Sequence, residues 1–257
     1  MKISVVTPVY NGQETIRFCI ESVSNQSFPS IEHIIVDGAS TDKTTDILKE
    51  YPLKWISEKD NGIYDAFNKG INMATGDIIC FLGTDDMYAD TNVLQQIANA
   101  FTTHPEISIV YGDMVFVDKN DISKITRYWK SSPFKPGLFK KGWLPQNHAL
   151  FIRRSVFQQH GLFNLQFKVS SDYELQYRFF EKLQLNTLYL PGVMVKMRAG
   201  GVSNSGVRNV YKNLKECYDV LKFHKVKHPF SYIINTILYR SKQVFIPADI
   251  KKMYKPK

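Results

Sequence analysis

The stretch Asp77 to Asp86, DIICFLGTDD, constrains the fold more than any other part of the chain. Five apolar residues, Ile78 to Leu82, follow Thr75-Gly76 and stop at Gly83, with the adjacent carboxylates Asp85 and Asp86 just beyond Thr84. A short apolar run between turn residues is the pattern of a strand buried on both faces of a parallel sheet. Such a strand delivers whatever follows it to the carboxyl edge of the sheet, where open α/β proteins bind ligands. Two like charges side by side are costly there without a positive partner. Their oxygens suit a hard divalent cation, Mg²⁺ or Mn²⁺, which in turn suits a diphosphate. A solvated turn or a helix cap is the plainer alternative, since Asp also starts helices.

The same arrangement recurs upstream. Ile3 to Val6 reads as a first strand ending in TPVYNG, and helical periodicity follows from Glu14 to Asn25. His33 to Val36 is a second strand, ending in DGASTD, with a capped helix running on to about Glu50. Leu53 to Ser57 is a third, followed by EKDNG and a helix that ends near Gly76. Short strands alternating with helices of this length call for a parallel sheet covered on both faces. Each strand then brings a polar cluster to one edge, and that coincidence weighs against an incidental turn.

Beyond the fourth strand the spacing predicts a helix from about Asp90 to His104, then strands Ile107 to Tyr111 and Asp113 to Val117 separated by Gly112. Residues 120–145 read as irregular, rich in Lys, Phe, Trp and Pro, suited either to a ligand cleft or to a packed meander. A strand Ala149 to Arg153, a helix Ser155 to His160, a helix from Ser170 to about Leu183 and a strand Leu188 to Met197 interrupted at Pro191-Gly192 complete the expected domain. Two basic amphipathic helices, Asn209 to Phe223 and Phe230 to Phe245, follow. The simplest division is a catalytic domain over 1–205 and a helical extension over 206–257.

Charge is placed unevenly. Residues 196–257 hold 14 Lys/Arg against 3 Asp/Glu, whereas 1–195 hold 19 against 21, so the tail is strongly basic and the rest about neutral within the net +9. Such asymmetry points to an anionic partner, a nucleic acid or a membrane surface. The three cysteines, Cys19, Cys80 and Cys217, lie far apart with no CxxC spacing, which fits buried thiols and a reducing compartment. Met1-Lys2 leads straight into a strand, and no run of about 18 uncharged apolar residues occurs. A cytoplasmic protein is expected, with peripheral contact on the inner face of the cell membrane through the tail.

Five blocks, VVTPVYNG (from Val5), IIVDGASTD (from Ile34), SEKDNGIYDAFNKGINMATGD (from Ser57), FLGTDD (from Phe81) and SSDYEL (from Ser170), resemble the family 2 glycosyltransferases, which are inverting and have the GT-A fold. The third block is similar to the bacterial enzymes that build O-antigen, capsule or colanic-acid repeat units. The resemblance covers roughly residues 1–205. It implies a Rossmann-like, mostly parallel sheet with helices on both faces and a nucleoside-diphosphate donor, expected to be UDP. It further implies that Thr7, Pro8 and Tyr10 line the base pocket, Tyr10 by stacking its ring, and that Asp37 reads the uracil edge or ribose. Many relatives carry two acids at that point where this chain has Asp37-Gly38. Asp60 either faces the nucleoside or caps the following helix, and Asp65 with Lys69 has the i,i+4 spacing of a surface salt bridge.

By the same resemblance Asp86 is the metal ligand and Asp85 a ribose contact or second ligand of Mn²⁺ or Mg²⁺, with Gly83 replacing the first acid of the common pattern. Asp172 matches the catalytic base, with Ser171 where relatives often have Glu; a helix cap is the other role open to it. His148, in PQNHALFIRR, falls where relatives tend to carry His, facing the diphosphate or the acceptor, with a purely structural role as the alternative. Arg198, with Gly200 to Ser203, forms a basic loop suited to closing over the diphosphate.

The segment Phe230 to Phe245 mixes aromatic, apolar and basic residues, as in a helix lying in a bilayer interface. The expected acceptor is a saccharide on a polyprenyl diphosphate at the inner leaflet; packing of the helix on the domain is the alternative. Two other classes compete. A metal-dependent nucleotidyltransferase commonly places a Gly-rich basic loop after the first strand, but here no Lys or Arg follows until Arg17. A nucleic-acid-binding protein is suggested by the tail, yet no RNP, zinc-finger or helix-turn-helix signature accompanies it.

Overall fold

Alternation along the strands explains the layers. In the computed structural model, which describes residues 1–198 and 207–244, β1 (Ile3–Val9) and β4 (Ile78–Phe81) lie side by side and parallel. Ile3, Val5, Ile78 and Cys80 point into one core with α1 (Ile16–Ser24) and α4 (Val93–Thr103), while Val6, Ile79 and Phe81 point into another. A strand with both faces covered favours apolar residues, hence the near-continuous apolar runs. β2 (Ile31–Asp37) flanks β1 on its other side and β3 (Lys54–Ser57) flanks β2, all parallel. α2 (Thr44–Leu48) packs with α1 on Ile35, and α3 (Ile63–Met73) covers the opposite face.

The sheet continues past β4 with β8 (Leu150–Arg153), β6 (Ile109–Val117), β9 (Thr187–Arg198) and β5 (Met87–Tyr88), while β7 (Ile125–Trp129) pairs with β6 beside β8. Here β8 is antiparallel to both β4 and β6, whereas β6 and β9 are parallel. Gly112 does not split β6 in two as expected. One strand runs through it, and β9 absorbs the mismatch by a bulge at Pro191-Gly192, where Tyr111 opposes Tyr189 and Asp113 opposes Val193. The segment 120–145 is also more ordered than its composition suggests, since it supplies β7 and a short 3₁₀ turn, Phe139–Lys141.

α5 (Arg154–His160) follows β8, and α6 (Ser171–Gln176) continues as a π-helical turn over Tyr177–Lys182 rather than as one α-helix. α7 (Val207–Phe223) and α8 (Pro229–Val244) close the α3 face. Cys217, Val220, Leu221 and Ile233 are at most 8% exposed in the same core as Phe67 and Phe81. At about 1.5–3 kcal/mol for each fully buried large apolar side chain, these two helices are part of the core. Their contact with the domain is tight: Gly142 has φ +82°, and a Cβ there would lie 2.2 Å from the carbonyl oxygen of Asn235 on α8. The expected loop Gly200 to Ser203, Phe245 and the lysines from Lys251 onward lie outside the described residues.

Candidate active site

The ends of β1, β2 and β3 meet because Val9 opposes Asp37 and Asp37 opposes Ser57. Asp37 is fully buried; its Oδ2 accepts hydrogen bonds from Ser57 Oγ at 2.5 Å and Ser40 N at 3.0 Å. Its Oδ1 is buried with no partner among the described residues, so it is held ready for an incoming donor. Tyr10 stands 66% exposed at the same edge. A Cβ at Gly38 would lie 3.0 Å from Asp60 Oδ2 and 3.6 Å from the Tyr10 ring. Asp60 therefore fills the place that a second acid at position 38 would need.

Asp60 does not cap α3. Its Oδ1 pairs with Lys69 Nζ at 2.7 Å, and Lys69 also reaches Glu58 at 2.8 Å. Asp65 is a more distant partner at 3.6 Å, so Lys69 chiefly ties the 58–60 loop to α3. Burial raises the Asp60 carboxyl, Lys69 opposes that rise, and Asp65 and Glu58 add to it. Thr7 and Pro8 sit deeper than expected. Thr7 is fully buried, with its hydroxyl 3.0 Å from His33 Nε2 and 3.7 Å from Cys19 Sγ. Pro8 is buried too, and its carbonyl accepts Thr84 Oγ1 at 2.6 Å, which locks the β1 and β4 loops together.

Beyond β4 the chain folds back so that Gly83 N donates to Asp86 Oδ2 at 3.2 Å. A Cβ at Gly83 would lie 2.7 Å from Asp86 Oδ2 and 3.3 Å from Asp85 Oδ1, so a side chain here would push the Asp86 carboxylate aside. Because Cys80 opposes Phe151 in antiparallel register, extending the ladder brings position 148 opposite Gly83. His148 Nδ1 accordingly lies 2.7 Å from Asp86 Oδ2. Burial alone would lower the His148 pKa, but Asp86, then Asp85 and Asp172, outweigh it and raise it. Burial and the neighbouring Asp86 raise Asp85, against the opposing charges of His148 and Arg198. Arg198 donates to Lys119 O at 3.0 Å, and its guanidinium lies 5.0 Å from the Phe18 ring centroid.

Asp172 lies within electrostatic reach of His148. Its Oδ1 accepts Tyr64 Oη at 2.9 Å and Tyr173 N at 2.8 Å, while Oδ2 accepts no hydrogen bond among the described residues. Burial raises this carboxyl above its ordinary range, against Tyr64, Tyr173 N–H, Arg240 and His148, which all favour the charged form. Glu216 on α7 fixes the approach to α6 by accepting three backbone N–H groups, from Lys168 at 2.9 Å, Val169 at 2.6 Å and Ser170 at 2.5 Å.

Sequence reasoning missed Tyr64 and Glu216. Tyr64 lies inside the third block, where its spacing reads as an apolar helix position, and Glu216 carries no local signal at all. A divalent cation fits the residues present. Asp86 Oδ1 is buried without a partner among the described residues, beside the Asp85 carboxylate. No three His, Cys, Asp or Glu side chains gather into a cage there, so the protein offers one or two carboxylates, as suits Mg²⁺ or Mn²⁺ on a phosphate-bearing ligand.

This architecture is that of the GT-A glycosyltransferases. Staphylococcus aureus TarS 1–349, solved with UDP, superposes with a TM-score of 0.67 at 17% identity, over 99% of this chain and 76% of that one. The mannosyltransferase PcManGT of Pyrobaculum calidifontis, solved with GDP-Man and Mn²⁺, gives 0.63 at 18% identity, over 93% and 69%. In sequence, residues 4–161 match the family described as Glycosyl transferase family 2. A PGL/p-HBAD biosynthesis glycosyltransferase of Mycobacterium bovis is 31% identical over 79% of each chain, and an uncharacterized glycosyltransferase of Rickettsia typhi is 28% identical over 85% of this chain and 70% of that one. The chain belongs to glycosyl transferase family 2.

Proposed function

We propose that this chain is an inverting glycosyltransferase that moves a sugar from a nucleoside-diphosphate donor, UDP being the expected nucleotide, to the hydroxyl of a lipid-linked saccharide in bacterial surface polysaccharide synthesis. The observation that carries the reading is the position of His148. Its ring contacts Asp86 and lies within electrostatic reach of both Asp85 and Asp172, which supports a single site for the acid pair and the base candidate. The UDP and GDP-Man seen in fold neighbours support a nucleotide-sugar donor at the strand-end edge.

In the reaction, Tyr10 offers its face to the base, while Asp37 Oδ1 and Asp60 read the nucleoside. Asp85 and Asp86 would hold Mn²⁺ or Mg²⁺, which when bound offsets the charge that builds on the departing diphosphate. The His148 imidazolium adds positive charge at the same place. Asp172 Oδ2 takes the proton of the acceptor hydroxyl as that oxygen bonds to the anomeric carbon from the face opposite the diphosphate. The anomeric C–O bond breaks, and its electron pair leaves on the phosphate oxygen. Tyr64 holds Oδ1 and so turns Oδ2 toward the acceptor. A screen of nucleotide sugars with Mn²⁺ tests the reading. Release of nucleoside diphosphate with formation of a new glycoside is expected, and a protein that neither binds nor turns over any nucleotide sugar refutes it.

The exposed side of α8 supports the membrane contact. Packing buries Ile233 and Thr236, yet Phe230, Ile234, Ile237 and Leu238 stay 43–66% exposed at helical spacing, near the exposed Lys222, Lys225 and Lys227. An outward apolar stripe beside lysines suits an anionic bilayer surface. Flotation of the full chain with anionic vesicles at low salt is expected, and Ile234→Asp with Leu238→Asp abolishes it. A wild-type chain that stays unbound removes the membrane role.

A further inference from the structure

Arg127 and Arg240 differ from the partly buried arginines whose guanidiniums are fully engaged. Arg178 pairs with Glu174 at 3.1 Å, and Arg153 spends its guanidinium on the carbonyls of Ile107, Phe101 and Pro105. Arg127 on β7 and Arg240 on α8 instead lie against each other, with Arg127 Nη2 donating to Arg240 O at 3.2 Å. Neither forms an ion pair with a carboxylate among the described residues. The Nε of each is buried with no partner among those residues. Arg127 is desolvated further by stacking on Trp129, 4.6 Å from the ring centroid, and burial together with Arg240 lowers its pKa. Two guanidinium charges within electrostatic reach of each other, partly withdrawn from water and with no carboxylate in ion-pair contact among the described residues, are held at a cost.

Their place in the fold gives that cost a purpose. Arg240 Nη1 donates to Asn213 Oδ1 at 3.1 Å, and Asn213 Nδ2 donates to Ser170 Oγ at 3.1 Å, two residues before Asp172. The Arg240 charge acts directly on Asp172. Arg240 also shares α8 with the outward stripe of Ile234, Ile237 and Leu238. We infer that Arg127 and Arg240 form a phosphoryl-binding subsite for the acceptor, beside the base and apart from the donor's carboxylate pair. Guanidinium forks match phosphate oxygens two at a time, and an anion here supplies the missing partners of both Nε groups. The acceptor class is accordingly a saccharide carried on a phosphate or diphosphate, with its lipid running out along the apolar side of α8. This rests on the glycosyl-transfer reading, because it takes Asp172 as the base.

The test is calorimetric titration of geranyl diphosphate and of inorganic pyrophosphate onto the full chain in EDTA, so that no divalent cation serves the Asp85–Asp86 pair. The wild type is expected to bind geranyl diphosphate, and Arg127→Gln/Arg240→Gln to weaken it at least about tenfold, as expected for loss of charge-assisted bonds. Arg127→Lys/Arg240→Lys, which keeps both charges, retains most of the affinity and guards against a folding artefact. Equal binding of the two ligands assigns recognition to the phosphoryl group, and tighter binding of geranyl diphosphate adds the lipid. Absence of binding by the wild type, or unchanged binding by the double Gln variant, overturns the inference. UDP binding with Mn²⁺, measured in parallel, separates the two proposals. Its loss from the wild type defeats the donor reading alone, and its retention in the double Gln variant shows that the donor edge survives.

Discussion

The proposed donor edge and the proposed acceptor side of this molecule are built by different means. At the donor edge, Asp37, Asp60, Asp85 and Asp86 stand at the ends of three of the four neighbouring parallel strands, all within the first 86 residues. The sheet ladder fixes their spacing, and the loops need only short ties such as Thr84 to Pro8 O. On the acceptor side no ladder sets the geometry. Tyr64 meets Asp172 across 108 positions, Glu216 holds a loop 46 positions away, and Arg127 touches Arg240 across 113. A site made from strand ends tolerates change in distant elements, whereas one made by latching helices depends on each latch.

The sharpest break between the halves is expected at the base itself. Asp172→Asn should lower transfer by about 10²–10⁴-fold, the usual range for general-base removal, while UDP binding measured by calorimetry stays at the wild-type level. Transfer at the wild-type rate would reassign the base. Next in size, Asp86→Asn should weaken Mn²⁺-dependent UDP binding by about 10²-fold, in keeping with a metal contribution of several kcal/mol. The same variant should leave geranyl diphosphate binding in EDTA untouched; an equal loss of both would merge the two sites.

Glu216→Ala tests the latch. Leaving three backbone N–H groups without their acceptor should destabilise the fold by about 1–3 kcal/mol, read as a lower melting temperature. The turnover number should drop while donor KM is maintained, and a loss confined to donor KM would contradict the division. The mildest effect concerns pH. The Asp172 carboxyl is raised in the folded chain and, as the proposed base, must be ionised, so activity should fall with acidification from a pH above the aspartate reference of 3.8. Tyr64 lowers that pKa, so Tyr64→Phe should move the acid limb of kcat/KM upward. An unmoved or lowered limb would mean that the hydroxyl does not act on the base.

The contrast also accounts for what the sequence made legible. Apolar runs ending in Asp37 and Asp85-Asp86 announce both the strands and their cargo, because fold and chemistry share one local pattern. The antiparallel strand β8 was readable as a strand, but only its pairing with β4 reveals why His148 lands on Asp86. Gly112 misled because a glycine that breaks a strand and one that faces a bulge look alike without the partner strand. Thr7 belongs to a motif of the donor edge, yet its place in the strand's alternation sends its hydroxyl to His33 and Cys19. Tyr64, Glu216, Arg127 and Arg240 acquire their roles from residues dozens to more than a hundred positions away, and nothing beside them in the chain marks it.

Gly142 shows where such a molecule is vulnerable. The main chain of α8 rides directly on this residue, with no room for even a methyl group beneath Asn235. Any side chain at 142 acts as a wedge that lifts the helix as one stiff rod, carrying its oily outer flank and Arg240 together. Under the proposed function, adhesion to a lipid sheet and grip on the head group are thus mechanically yoked, and a change at a position with no chemistry of its own would loosen both at once.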